Sequence, residues 1–214
     1  MLGEVAEKGD TVRETEWVEL VADAVSPDLL APSDGSLSVE TQFKLPYGYE
    51  IRAYGAKPET EEISFATDFI VIEETDGGWK PRVVVEAKVG SITTHDAITY
   101  SQKAANHKSV FPYLRYGIML GDRGHYPLPG RLYRHGTQFD FMISFREYDP
   151  SPNELEAFQK VLMDEVRASL ALEKMIYESR RRDRDHHTLL HRTLNVIDIN
   201  TVSQVPWITS DHLD

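Results

Sequence analysis

The chain has 214 residues, 41% of them hydrophobic, enough for one globular core with additions. It contains no cysteine, which excludes disulfides and thiolate zinc sites, and its net charge of −12 opposes long-range attraction to nucleic acid unless basic groups are gathered locally. No apolar run reaches the roughly 18 residues of a membrane span, and the acidic start lacks the apolar stretch of a secretion signal, so no membrane association and a cytoplasmic location are expected.

In chain order, Thr11 to Val25 predicts a helix with Trp17, Leu20, Val21 and Ala24 on one face. Its acidic residues Glu14, Glu16 and Glu19 read mainly as solvated charges. Glu40 precedes an extended run that ends at Pro46. Phe69 to Ile72 and Val83 to Val85 are β-branched or aromatic, and neither run alternates, so both predict strands covered on two faces. Asp76-Gly77-Gly78 between them predicts a tight turn, because glycine accepts positive φ.

That hairpin carries the most informative residues of the chain. Seventeen residues separate Asp68 from Glu86, and Lys88 lies two positions further on, on the same strand face as Glu86. A two-residue turn at Gly77-Gly78 sets Asp68 opposite Ala87 and leaves Glu86 on the other side of the sheet. A three-residue or bulged turn sets Asp68 opposite Glu86. A slip of one residue thus decides whether the two carboxylates meet. Taken singly, the residues read as an ion pair at a strand end and a turn cap. Together they form a set of two hard oxygen donors and an ammonium, which suits Mg²⁺ and charge stabilisation at a phosphoryl group.

After Lys88 comes a loop from Val89 to Thr93, then a helix from about Asp96 to His107. Thr93 and Asp96 have the spacing of a capping box. Ile98, Gln102 and Ala105 share one face of this helix, with Gln102 the polar member of the stripe. Tyr100, His95, His107 and Lys108 lie off it and read as surface residues. Tyr116 to Leu120 predicts a buried strand, Gly121 to Gly130 a loop, and Phe139 to Phe145 a further strand. Ser151-Pro152-Asn153-Glu154 is a strong helix start. The apolar spacing from Leu155 to Ile176 carries that helix to about residue 180, as a wrap across the core or a dimer seam.

Asp68, the seventeen-residue gap, Glu86-Ala87-Lys88 and this order of following elements resemble the PD-(D/E)xK nuclease superfamily, over roughly residues 10 to 121. Thr67 stands where the pattern's proline would be. The resemblance implies an α/β fold with a restriction endonuclease-like core: a mixed central sheet flanked by helices, here with a long C-terminal helical extension. The expected organisation is a single domain, with a core of about 10–147, an extension of about 151–192 and a tail from 193 to 214. The implied activity is metal-dependent endonucleolytic hydrolysis of DNA, restriction-type or repair-type, with Mg²⁺ as cofactor and Mn²⁺ as a substitute.

Asp68, Glu86 and the Ala87 carbonyl are then the metal ligands. Lys88 positions the attacking water, and Gln102 assists from the helix. The family often adds a helix glutamate, for which Glu16 and Glu40 are the candidates. Arg115, Arg123, Arg131 and Arg134, with the run Arg180, Arg181 and Arg182, are candidate DNA contacts, although a charge run is more often a solvated face. One copy of the motif implies a homodimer for double-strand breaks. The alternatives are a nuclease acting on RNA or branched DNA, and a binding or structural subunit that keeps the fold without catalysis.

Overall fold

The computed structural model describes residues 2–25, 36–124 and 128–178, with side chains from residue 13 onward. The basic run Arg180 to Arg182 and the tail with Trp207 lie outside the described residues. The elements are α1 (Leu2–Val25), β1 (Ser36–Tyr54), β2 (Pro58–Thr75), β3 (Gly78–Val89), α2 (Thr94–Val110), β4 (Arg115–Gly121), α3 (Gly130–His135), β5 (Phe141–Ser144) and α4 (Pro152–Glu178). The strands form one mixed sheet in the order β1-β2-β3-β4-β5. β1, β2 and β3 run antiparallel, while β4 and β5 join parallel, with α2 as the crossover from β3 to β4.

Both faces of the sheet are covered, as the non-alternating runs require. On one face Trp17, Val21 and Val25 of α1 and Phe158, Leu162 and Val166 of α4 pack on Phe69, Val71, Val83, Val85, Ala87 and Met119. On the other, Ala104 of α2 packs on Ile70, Ile72, Val84 and Tyr116. Ala97 extends this layer over Ile118, Leu120 and Leu132. The long helix α4 is therefore a wrap across the core over its first four turns. Ser151 and Glu154 cap it reciprocally, the main-chain N–H of Ser151 donating to Glu154 at 2.8 Å.

The β2–β3 register is set by a single extra residue. The turn is at Asp76-Gly77, one position earlier than expected, with Thr75 paired to Gly78, whose φ is +137°. From there Ile72 pairs with Pro81, but Val71 pairs with Val83, so Arg82 is bulged out of β3. Pro81 has no N–H to give the ladder, and a bulge is where the ladder tolerates it. Beyond the bulge Phe69 faces Val85. Carried one residue further, this register places Asp68 opposite Glu86.

The bulged Arg82 is buried, with a side chain 1% exposed. It donates to Glu73 of β2 and to Glu173 of α4, the latter at 2.7 Å, and its guanidinium lies 5.3 Å from the ring centroid of Tyr113. Lys80 adds a second bond to Glu173 at 2.7 Å. The residue that shifts the register therefore also pins the last turns of α4. Breaking a buried pair of this kind costs about 3–5 kcal/mol, because the remaining charge is stranded.

Past the core, β1 and β2 continue as a two-stranded arm. Gly48 to Tyr54 pairs with Pro58 to Ile63 and projects roughly 20 Å at about 3.3 Å per residue. Tyr49, Ile51 and Tyr54 are exposed on it. Their pairing with Glu62, Thr60 and Pro58, alternate residues of β2, puts all three on one face of the ribbon. An extra residue at Arg52 keeps Tyr54 in phase with Ile51.

Close approach makes Gly121 the most demanding glycine near the site. A Cβ there would sit 2.6 Å from the indole of Trp17, which is fully buried. Gly121→Ala should lower stability by about 1–3 kcal/mol through overpacking, read as a shift in the urea midpoint at unchanged slope.

Candidate active site

The site lies where β2, β3, α1 and α2 meet, at the C-terminal end of the parallel strand β3. Val83, Val85 and Ala87 of that strand face α1 and α4, so Val84 and Glu86 face α2. Glu86 thus takes a position that its neighbours fill with valine, and it has no solvent exposure. One of its oxygens accepts a hydrogen bond from the Tyr116 hydroxyl, and the other lies 3.2 Å from the Lys103 ammonium of α2.

Asp68 sits just past the last residue of β2 that pairs with β3, within the part that still pairs with β1. Its Oδ2 accepts the main-chain N–H of Ala87 at 2.8 Å, and the Gln42 amide reaches its Oδ1 at 3.4 Å. Gln42 has a φ of 51°, a left-handed conformation that glutamine rarely adopts. Such strain persists where the surrounding structure enforces it, here in the stretch of β1 directly across from Asp68.

Lys88 follows on β3. Its ammonium lies 3.2 Å from Glu14 of α1, and the same carboxylate accepts the N–H of Val89 at 3.1 Å. Glu14 is therefore the helix acid that reaches this strand end, whereas Glu16 is exposed on α1 and Glu40 is exposed on β1 opposite Ile70. The loop after Lys88 is clamped. The N–H of Gly90 donates to the Gly121 carbonyl at 2.9 Å, Arg123 donates to the Gly90 carbonyl, and Arg131 donates to the Ile92 carbonyl at 2.9 Å. Thr93 and Asp96 form the expected capping box at the start of α2.

The helix α2 is rotated about its axis relative to the sequence expectation. Its buried residues are Ala97, Ser101, Ala104 and His107, while Ile98 is 50% exposed. The expected stripe of Ile98, Gln102 and Ala105 faces outward, and three small residues with His107 take the side packed on the sheet. Gln102 is exposed and donates to Asn106 at 2.8 Å. Lys103, the next residue, is the α2 side chain that reaches Glu86. His107, expected at the surface, is buried beside Tyr116, with Nε2 3.1 Å from the Leu45 carbonyl. Burial lowers its pKa, so the ring is neutral.

Of the expected basic contacts, Arg115 is turned inward, bonded to Glu165 of α4 and to Asp140 at 3.0 Å. Arg123 and Arg131 hold the loop carbonyls described above. Arg134 is exposed at the end of α3.

Electrostatics follow from this packing. Burial, and then the negative charge of Asp68, raise Glu86 from 4.5 to about 7 against the opposing pull of Lys103 and Tyr116. Burial likewise raises Glu14, with Lys88 opposing. Burial and the neighbouring carboxylate of Glu86 hold the proton on Tyr116, which therefore donates. Tyr100 is shifted up by burial and then by the negative charges of Glu14, Asp68, Glu86 and Asp96.

Asp68 and Glu86 are thus two hard oxygen donors in mutual repulsion, which a small divalent cation would relieve. Among the described residues no group of three or more histidine, aspartate or glutamate side chains is close enough to hold an ion. A cation here would depend on this pair, completed by water and main-chain oxygen. No helix among the described residues is long and apolar enough to cross a membrane. The sequence matches no family model, and no curated protein matches it.

The raised pKa of Glu86 has a definite sign in stability. Between about 4.5 and 7 the folded protein keeps a proton that the unfolded chain releases, so stability falls as pH rises through this window and levels off above it. Glu86→Gln should remove about 3 kcal/mol of this fall and be more stable than the parent at pH 8, the two converging towards pH 5. Urea unfolding at the two pH values in chelator-treated buffer reads the effect.

Proposed function

We propose that this chain is a metal-dependent nuclease with a restriction endonuclease-like fold, acting on DNA phosphodiester bonds. The observation that carries the reading is the bulge at Arg82: its register, carried one residue beyond the pair Phe69–Val85, sets Asp68 across from Glu86, and Lys88 lies at the same strand end. A buried carboxylate in a row of valines is costly, and a plain structural sheet has no need of it.

On this reading Asp68 and Glu86 hold Mg²⁺ or Mn²⁺, with the Ala87 carbonyl as a further donor. The ion supplies a water of lowered pKa and positive charge beside the phosphoryl oxygens. The Ala87 N–H fixes the orientation of Asp68. Lys88 orients the attacking water and offsets negative charge that develops on the phosphate. Glu14 holds Lys88 at the end of β3. With a net charge of −12, DNA contact relies on local cations. Arg115, Arg123 and Arg131 are engaged by the protein itself, which leaves Arg134 and the arginine run after α4 as the contacts of this reading.

The second reading, a binding subunit that keeps the fold without catalysis, is favoured by one observation: Glu86 is sealed from solvent by Tyr116 and Lys103. Incubation with supercoiled plasmid, branched DNA and RNA in Mg²⁺ or Mn²⁺ separates the two. The nuclease should cut at least one substrate, and Asp68→Asn, Glu86→Ala and Lys88→Ala should each lower the rate by at least about a hundredfold while folding is retained. A parent protein that cuts none of them supports the subunit. Linear products together with a doubled mass in sedimentation support a homodimer with one site per strand. Nicked circles from a monomer point to single-strand cleavage.

A further inference from the structure

The acidic cluster holds three carboxylates and two ammoniums, and the ammoniums are already allotted. Lys88 pairs with Glu14, and Lys103 pairs with Glu86, each at 3.2 Å. Asp68 is held by uncharged donors, the Ala87 N–H and the Gln42 amide. The cluster is therefore short of one positive charge even with both lysines in place.

Lys103 differs from Lys88 in how it is held. Its ammonium lies 5.3 Å from the ring centroid of Tyr100 and 5.8 Å from that of Phe65. These faces attract a cation without giving it a hydrogen bond. The side chain is 23% exposed while Glu86 is fully buried, so the lysine stands between the carboxylate and solvent. The long, flexible stem of Lys103 is partly exposed and can turn the ammonium outward, whereas the Glu86 carboxylate on the central strand is fully buried.

We infer that Lys103 is a stand-in cation: it occupies the charge-compensating place on Glu86 and a divalent cation must displace it to bind Asp68 and Glu86. This inference rests on the nuclease reading of the same carboxylates. Its consequence runs opposite to that of a supporting residue. Removal of a supporting residue weakens metal binding, whereas removal of a competitor tightens it. A like charge at contact distance, partly screened, is worth at least about tenfold in affinity.

The test is calorimetric titration of the full chain with Mn²⁺ and with Mg²⁺ at pH 8.5, on the parent, Lys103→Met, Lys103→Gln, Lys103→Arg and Glu86→Gln. Lys103→Met keeps the stem against Tyr100 and Phe65, and Lys103→Gln serves if the first variant does not fold. The expected result is about tenfold tighter binding for the neutral variants, near-parental binding for Lys103→Arg and loss of binding for Glu86→Gln. A parent that binds metal while the neutral variants bind equally or more weakly overturns the stand-in role and leaves the metal site intact. Absence of binding by the parent and the neutral variants overturns both the inference and the metal-dependent reading beneath it.

Discussion

Burial of the Glu86 carboxylate is the constraint around which this end of the sheet is organised. A lone carboxylate in such a place costs several kcal/mol, and proteins keep one there only with partners or as the neutral acid. Each partner comes from a different element: the Tyr116 hydroxyl from β4, the Lys103 ammonium from α2 and, in opposition, the Asp68 charge from β2. Tyr116 is itself stacked against His107, whose ring is anchored to β1 through the Leu45 carbonyl. The polar centre therefore ties together strands and helix that apolar contact alone would leave free to slide.

Local signals in the sequence were readable where the physics is local. The capping boxes at Thr93 and Ser151 depend on residues three apart, and the β2–β3 strands announce themselves by β-branched runs. The long C-terminal helix followed from these, while the mixed α/β sheet was an expectation of the resemblance. The phase of α2 did not, because its buried side is built from alanine, serine and histidine while an isoleucine faces water. A hydrophobic stripe is a poor guide when the buried side is built from small and weakly apolar residues. Had side-chain volume been weighed, Ala97, Ser101 and Ala104 at helical spacing would have pointed to that face, and hence to Lys103.

The choice of Glu14 over Glu16 on α1 was equally hidden. Both are acidic residues of α1 two positions apart, and the docking of that helix, with Trp17 against Gly121, decides which one meets Lys88. The outer part of the β1–β2 arm left no strand signal either, since its residues bury nothing and its alternation is broken by the extra residues at Tyr47 and Arg52. Arginines suffered the same loss of legibility. Arg115 and Arg82 look like surface cations in the sequence, yet both are drawn inward to carboxylates of α4.

The bulge at Arg82 also limits how this stretch can drift. Side chains on a strand alternate, so with seventeen residues between them the facing of Asp68 and Glu86 depends on one residue being left out of the ladder. Loss of a paired residue between Gly78 and Val83, with turn and bulge unchanged, would turn Glu86 and its valine neighbours to the other face of the sheet, whereas loss of the unpaired Arg82 would leave the pairing as it is. A single insertion or deletion in this hairpin is therefore harmless to the facing only where the turn or the bulge takes it up, which makes Arg82 the slack of the hairpin as well as its pin.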